Sequence, residues 1–135
     1  MNGPHQLLQK HGWLTIDAMS ISLSPWDYRD FIQNSKAEFG VAKHAYVIHR
    51  SGWFSDRTEC YLAAGRPVLV QDTGWSKHLP IGTGLLGFST LEEALNGLNE
   101  LEHNYTKHAK AAKEIARDYF DASHVLPALI ERASV

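Results

Sequence analysis

Apolar positions along this chain change period several times, and each change marks the border of an element. Residues Gly12 to Ala18 carry Trp13, Leu14 and Ile16 after a glycine and stop at Asp17, which predicts a short strand entering a sheet. A helix is predicted next. Ser24 can cap it, Pro25 suits its first position, Asp27 puts an anion in the first turn, and Tyr28, Phe31 and Ile32 form one stripe that ends near Asn34. From Glu38 to His49 the mixture of Phe39, Val41, Tyr46, Val47 and Ile48 with small residues favours one or two short strands, interrupted around Lys43 and His44.

Residues 51–74 predict a loop, a helix of about three turns and a strand. Ser55 or Asp56 can cap the helix, Asp56 and Glu59 have capping-box spacing, Gly65 lies where the helix stops, and Pro67 forbids its continuation. Val68, Leu69 and Val70 form a continuous apolar run before Gln71-Asp72-Thr73-Gly74, as expected of a strand buried on both faces of a parallel sheet. Leu85, Leu86 and Phe88 predict a further strand. The remainder is expected to be helical: Thr90 and Glu93 form a capping box, and Leu91, Leu95, Leu98 and Leu101 recur at helical spacing as a core-facing stripe. Ala109, Ala112, Ala116 and Tyr119 continue the pattern, and a last short helix is expected from Ser123 toward Arg132. Strands joined by helices, followed by a helical tail, predict an α/β fold: a Rossmann-like three-layer sandwich with a mostly parallel sheet, built as a single domain over residues 1–135.

Bulk composition narrows the partners. The 135 residues are 44% hydrophobic and 21% charged with a formal net charge of -2, which suits a globular chain and supplies no basic face for nucleic acid. No run of about 18 apolar residues is present to span a membrane, and the N-terminus lacks a basic start followed by an apolar core, so a cytoplasmic protein is expected. One cysteine, Cys60, cannot form an internal disulfide and is expected to be a buried, inert thiol. His44 with His49, and His103 with His108, are five apart and do not share a helix face as metal ligands at i and i+4 do, so the histidines predict no metal site.

Chemistry concentrates at one loop. Gly52 to Arg57 combines glycine, serine and aspartate at the opening of a helix, where unpaired N–H groups and the helix dipole attract an anion. Arg57 adds a cation that can pair with phosphate oxygens, and Asp56 partly offsets it. Neither a GxxxxGK[ST] nor a GxGxxG pattern occurs.

The run SKAEFGVAKHAYVIHRSGWFSDRTECYLAAGRPVLVQDTG, with LPIGTGLLGFSTLEEA after it, resembles the C-terminal lobe of GT-B fold glycosyltransferases, in particular the retaining enzymes that use nucleotide-sugar donors. The likeness extends over about residues 12 to 130 and is most specific across the helix, AAGRPV strand and TG turn. It implies a lobe that binds the donor nucleotide for glycosyl transfer to an acceptor held elsewhere, with the lobe's first strand lying outside the matched residues. By the same resemblance Gly52, Trp53, Phe54, Ser55, Asp56 and Arg57 face the donor sugar and diphosphate. Glu59 neighbours the position, here Cys60, where the family often has a ribose-binding glutamate. No catalytic residue is assigned to this chain, the nucleotide sugar being substrate rather than cofactor, and the lack of an Asp-x-Asp motif implies charge stabilisation without metal. The expected partners are a nucleotide sugar and either a missing N-terminal lobe or a second copy.

Plainer roles stand beside these. Glu59 can serve only a capping box, Ser55 and Asp56 can be caps, Arg57 a solvated helix residue, Trp53 and Phe54 the edge of a core, and Thr73 and Gly74 a turn. At the level of the whole chain the alternative is a non-catalytic, truncated Rossmann-like module for interaction or dimerisation. A flavodoxin-like receiver is disfavoured because Asp17 stands without an acidic cluster.

Overall fold

The computed structural model describes residues 4–134. By its internal contacts the chain divides into residues 1–31 and residues 32–135. The first unit holds α1 (Pro4–Lys10), α2 (Ala18–Ile21) and the start of α3 (Pro25–Asn34). The strand expected over Gly12 to Ala18 does not form. Residues 13–17 are irregular, Leu14 is 90% exposed, and Asp17 instead caps α2 by accepting the Met19 N–H at 3.1 Å. A short apolar run becomes a strand only beside a partner, and the described residues of this unit contain no other strand. Helix α3 follows its sequence signals, with Ser24 Oγ accepting the Asp27 N–H at 3.2 Å.

The second unit is a mixed α/β structure around a small parallel sheet. Strands β1 (Glu38–Gly40), β2 (Val68–Gln71) and β3 (Leu85–Phe88) lie in the order β1-β2-β3, with Phe39 opposite Leu69 and Leu69 opposite Leu86. Val68, Leu69 and Val70 are buried, as a central parallel strand requires. Leu69, Leu86 and Phe88 on one face cluster with Ala94 and Leu101 of α6 (Leu91–His103). Glu38 and Gly40 share the opposite face of β1, where Arg57 of α5 (Asp56–Ala63) approaches them.

Departures from the expected elements have local causes. Tyr46, Val47 and Ile48, expected in a strand, belong to the helical turn α4 (His44–Ile48). The chain leaves the sheet before them, where the Ala42 N–H is taken by the Gln71 side chain at 3.1 Å. Helix α5 has eight residues instead of three turns, and Gly65 stops it at φ +70°, where an added Cβ would lie 2.6 Å from Lys113 Cε. The capping box of Thr90 and Glu93 forms as the spacing predicts. Of the leucine stripe only Leu101 faces the core, buried with Ala94 and Gly97, whereas Leu91, Leu95 and Leu98 are exposed. Close approach explains the choice, since a Cβ on Gly97 would lie 2.7 Å from Leu69 Cδ1, so the sheet is met through the small residues.

Helix α7 (Tyr105–Ile115) runs into a π turn over Ala116–Phe120, and Asp121 then caps α8 (Ala122–Ala133) with an acceptor for the Ser123 N–H at 2.8 Å. His108 of α7 is fully buried and ties three elements together. Its Nδ1 accepts the Gly84 N–H at 3.0 Å, which leaves Nε2–H to donate to Glu100 Oε1 at 3.1 Å. That bond is the main cause holding the Glu100 carboxyl below the usual range. His108→Leu is expected to cost about 1–3 kcal/mol in urea denaturation, because the Gly84 N–H is left buried without an acceptor. Wild-type stability in that variant would show that the histidine is not a structural tie.

Candidate functional site

Two loops at the carboxyl ends of β1 and β2 build one another. Arg50 and Gly52 take positive φ, 45° and 75°, and turn the chain so that the Gly52 N–H reaches the Thr73 carbonyl at 3.0 Å. Thr73 is fully buried and returns the bond, its Oγ1 donating to the Trp53 carbonyl at 2.6 Å. Gly74, at φ +106°, lies so close to Arg50 that an added Cβ would be 3.1 Å from the Arg50 carbonyl oxygen.

Asp72 organises the same turn. Its Oδ1 accepts the Gly74 N–H at 2.8 Å and its Oδ2 accepts Ser76 Oγ–H at 2.9 Å, with Arg50 Nη2 at 3.3 Å. Partial burial pushes its carboxyl upward, but the bonds from Gly74, Ser76 and Arg50 together outweigh that and hold it below the usual aspartate range.

The aromatic residues divide between two tasks. Phe54 is edge-on to Trp75 at 5.5 Å and stacked on Phe120 of the π turn at 5.7 Å, so its ring is committed to packing. Trp53 stacks on Tyr46 at 5.1 Å and stays 41% exposed. Ser55 is the N-cap of α5 by backbone conformation, yet its side chain makes no capping bond. Asp56 is the first helical residue, and its Oδ1 accepts the Arg57 N–H at 2.8 Å. The expected Asp56–Glu59 capping box is therefore not made, because Asp56 sits one position too far into the helix.

Arg57 Nε donates to Glu38 Oε1 at 2.6 Å, with the arginine side chain half-exposed and that of Glu38 only 4% exposed. The other glutamate oxygen, Oε2, is buried without a hydrogen-bond partner. Gly40 and Val70 at the strand ends, with Trp53, Ser55 and Arg57, line a small, partly open cleft of about 20 Å³.

Of the residues expected at the donor site, Trp53, Phe54, Ser55 and Arg57 meet at this cleft. Gly52 shapes the turn behind it, and Asp56 occupies the start of α5. Glu59 lies elsewhere, in a shallow groove of about 540 Å³ with Cys60, Lys113 and Arg117. Its carboxyl is raised, first by partial burial and then by Asp56. Cys60 is exposed, contrary to expectation, since it projects from the open side of α5. Partial desolvation, followed by the fields of Asp56, Glu59 and Glu38, pushes its thiol up, which keeps it protonated and a poor nucleophile. No group of three His, Cys, Asp or Glu side chains among the described residues is arranged to hold a metal.

Sequence reasoning passed over Glu38 and Asp72 as site residues and read Thr73 only as part of a turn. The available signals were a glutamate at the start of an apolar strand and an Asp-Thr-Gly turn immediately after the central one. Compared with known proteins, the chain matches no family model, no curated protein and no solved structure.

The Asp72 carboxylate contributes stability that is complete above the ordinary aspartate pKa of about 3.9 and is lost as pH falls through its lower folded value. The stability difference between the wild type and Asp72→Asn, followed by urea denaturation, should therefore be constant from neutrality down to about pH 4 and shrink below it. A difference that instead vanished between neutrality and pH 5 would contradict the assigned bonds.

Proposed function

We propose that this chain is the donor-nucleotide lobe of a cytoplasmic GT-B glycosyltransferase, which binds a nucleotide-diphosphate sugar for transfer to an acceptor held on another lobe. In this reading the small sheet belongs to a Rossmann-like three-layer sandwich, and the opening strand and the acceptor lobe come from further sequence or a separate subunit. The observation that carries it is the meeting of Ser55 and Arg57, at the start of α5, with the carboxyl ends of the parallel strands β1 and β2. Open α/β sheets bind ligands at that end, where strand termini and helix N-termini converge.

The diphosphate would sit at the mouth of the cleft. There it replaces the Asp56 carboxylate on the Arg57 amide and takes hydrogen bonds from the half-exposed Arg57 guanidinium. As the bond between sugar and diphosphate breaks, the leaving group gains negative charge, which the helix terminus and Arg57 stabilise. No general base is assigned to this chain.

Isothermal titration with UDP, GDP, ADP and TDP sugars should reveal binding to one base. Arg57→Lys, which keeps the charge opposite Glu38 but loses the planar fork, should weaken that binding about tenfold. Absence of heat at millimolar ligand for all four would remove the donor reading.

A second reading, a non-catalytic module that self-associates, is supported by exposed apolar side chains. These are Leu91, Leu95 and Leu98 on α6, and Val125, Leu126, Leu129 and Ile130 on α8. A stable dimer in sedimentation equilibrium, together with indifference to every sugar nucleotide, would favour it.

A further inference from the structure

Gln71 closes β2 and is fixed through both its main chain and its side chain. Its carbonyl accepts the Trp75 Nε1–H at 3.1 Å, and its side-chain Oε1 accepts the Ala42 N–H at 3.1 Å. Only the oxygen of a carboxamide can accept that N–H, which assigns Nε2 to the other end of the group. The amino group Nε2–H2 of this partly buried side chain makes no hydrogen bond among the described residues. A glutamate could accept the same Ala42 N–H, so the amino group is what a glutamine adds at this place.

The placement of the carboxamide shows where its donors can act. Ala42 and Gln71, the two ends of the bond, both line the cleft, so the carboxamide lies at its edge, beyond the carboxyl ends of β1 and β2. Ser55 and Arg57 at the start of α5 line the same cleft. A group seated there meets the helix terminus from one element and Gln71 from another. Asp56 takes the Arg57 amide and Glu38 takes the Arg57 Nε–H, whereas no carboxylate of the described residues bonds the Gln71 amino group. Chemistry narrows what it can meet: Nε2–H2 gives hydrogen bonds and accepts none, so its partner is an acceptor oxygen. A donor oriented before the ligand arrives needs no reorganisation when it binds.

Building on the donor-lobe reading above, we propose that Gln71 is a further binding residue of this site, donating from Nε2 to a phosphate oxygen of the donor's diphosphate. The diphosphate is then held from two elements, by the start of α5 with Arg57 and by the end of β2 with Gln71. Gln71→Glu separates this role from contact with the sugar. It keeps an acceptor for the Ala42 N–H and replaces the amino group by a carboxylate oxygen, which repels a phosphate but still accepts a hydrogen bond from a sugar hydroxyl.

Calorimetric titration of the wild type and Gln71→Glu with UDP, GDP, ADP and TDP, each with and without an attached glucose, tests this, with circular dichroism melts to compare their folding. The variant should bind the preferred nucleoside diphosphate about tenfold or more weakly than the wild type does, and its glucose conjugate weaker by the same factor. In proton–nitrogen correlation spectra of the wild type, the Gln71 Nε2–H2 signals should move when that nucleoside diphosphate is added and stay in place with glucose alone. Unchanged affinity in a folded variant, a weakened nucleoside diphosphate with its glucose conjugate spared, or Nε2–H2 signals unmoved at saturation would each overturn the role of Gln71 while leaving the donor site standing. If Gln71→Glu does not fold, the wild-type signals decide alone. If the wild type binds none of the compounds, the donor reading fails and the role of Gln71 falls with it.

Discussion

The ion pair between Glu38 and Arg57 sets the terms for the rest of the second unit. A charged group in the first residue of a buried strand must be matched at short range, and the match comes from the second residue of α5. That requirement brings the start of α5 over β1, and it keeps Gly40 free of a side chain where the two charged groups pass beneath it. Removing either partner would leave the other's charge uncompensated, the glutamate's in a buried place.

Rigidity at those ends comes from an independent set of contacts. Thr73 and the Gly52 amide lock the loop before α5 onto the turn after β2, and Asp72 holds that turn through Gly74, Ser76 and Arg50. Phe54 then joins the loop to Trp75 and, through Phe120, to the π turn that follows α7. A loop that would otherwise be mobile is thus held by bonds to two neighbouring segments, which is what a binding loop on a rigid scaffold requires. The acidic residues Asp56 and Glu38 also temper the local positive field, so an anion at this place competes with carboxylates instead of meeting bare donors.

Much of the fold was legible in the sequence where one local signal was sufficient. The run Val68 to Val70 between Pro67 and Gln71 could only be a buried strand, and the Thr90–Glu93 pair and the Ser24–Pro25 start each fixed a helix terminus. Signals that depend on a distant partner misled. Trp13, Leu14 and Ile16 had strand character but no neighbouring strand among the described residues of their own unit, and Tyr46 to Ile48 lie beyond the sheet, past the point where the Gln71 side chain takes the Ala42 N–H. The leucines of α6 promised a core face, but of them only Leu101 enters it, beside the small residues Ala94 and Gly97. At the candidate site the loop Gly52 to Arg57 was visible from its composition. Glu38 was not, because only the tertiary fold shows that a lone glutamate in β1 is buried against Arg57.

The central claim is that the strand ends and the start of α5 form one ligand site, and amide chemical-shift mapping with a nucleotide sugar tests it directly. The account predicts perturbations at Gly40, Val41 and Ala42 together with Ser55, Asp56, Arg57 and Thr58, while the exposed faces of α6 and α8 stay unchanged. Perturbations confined to α8 or to the groove of Glu59 and Cys60, with the cleft residues silent, would contradict it.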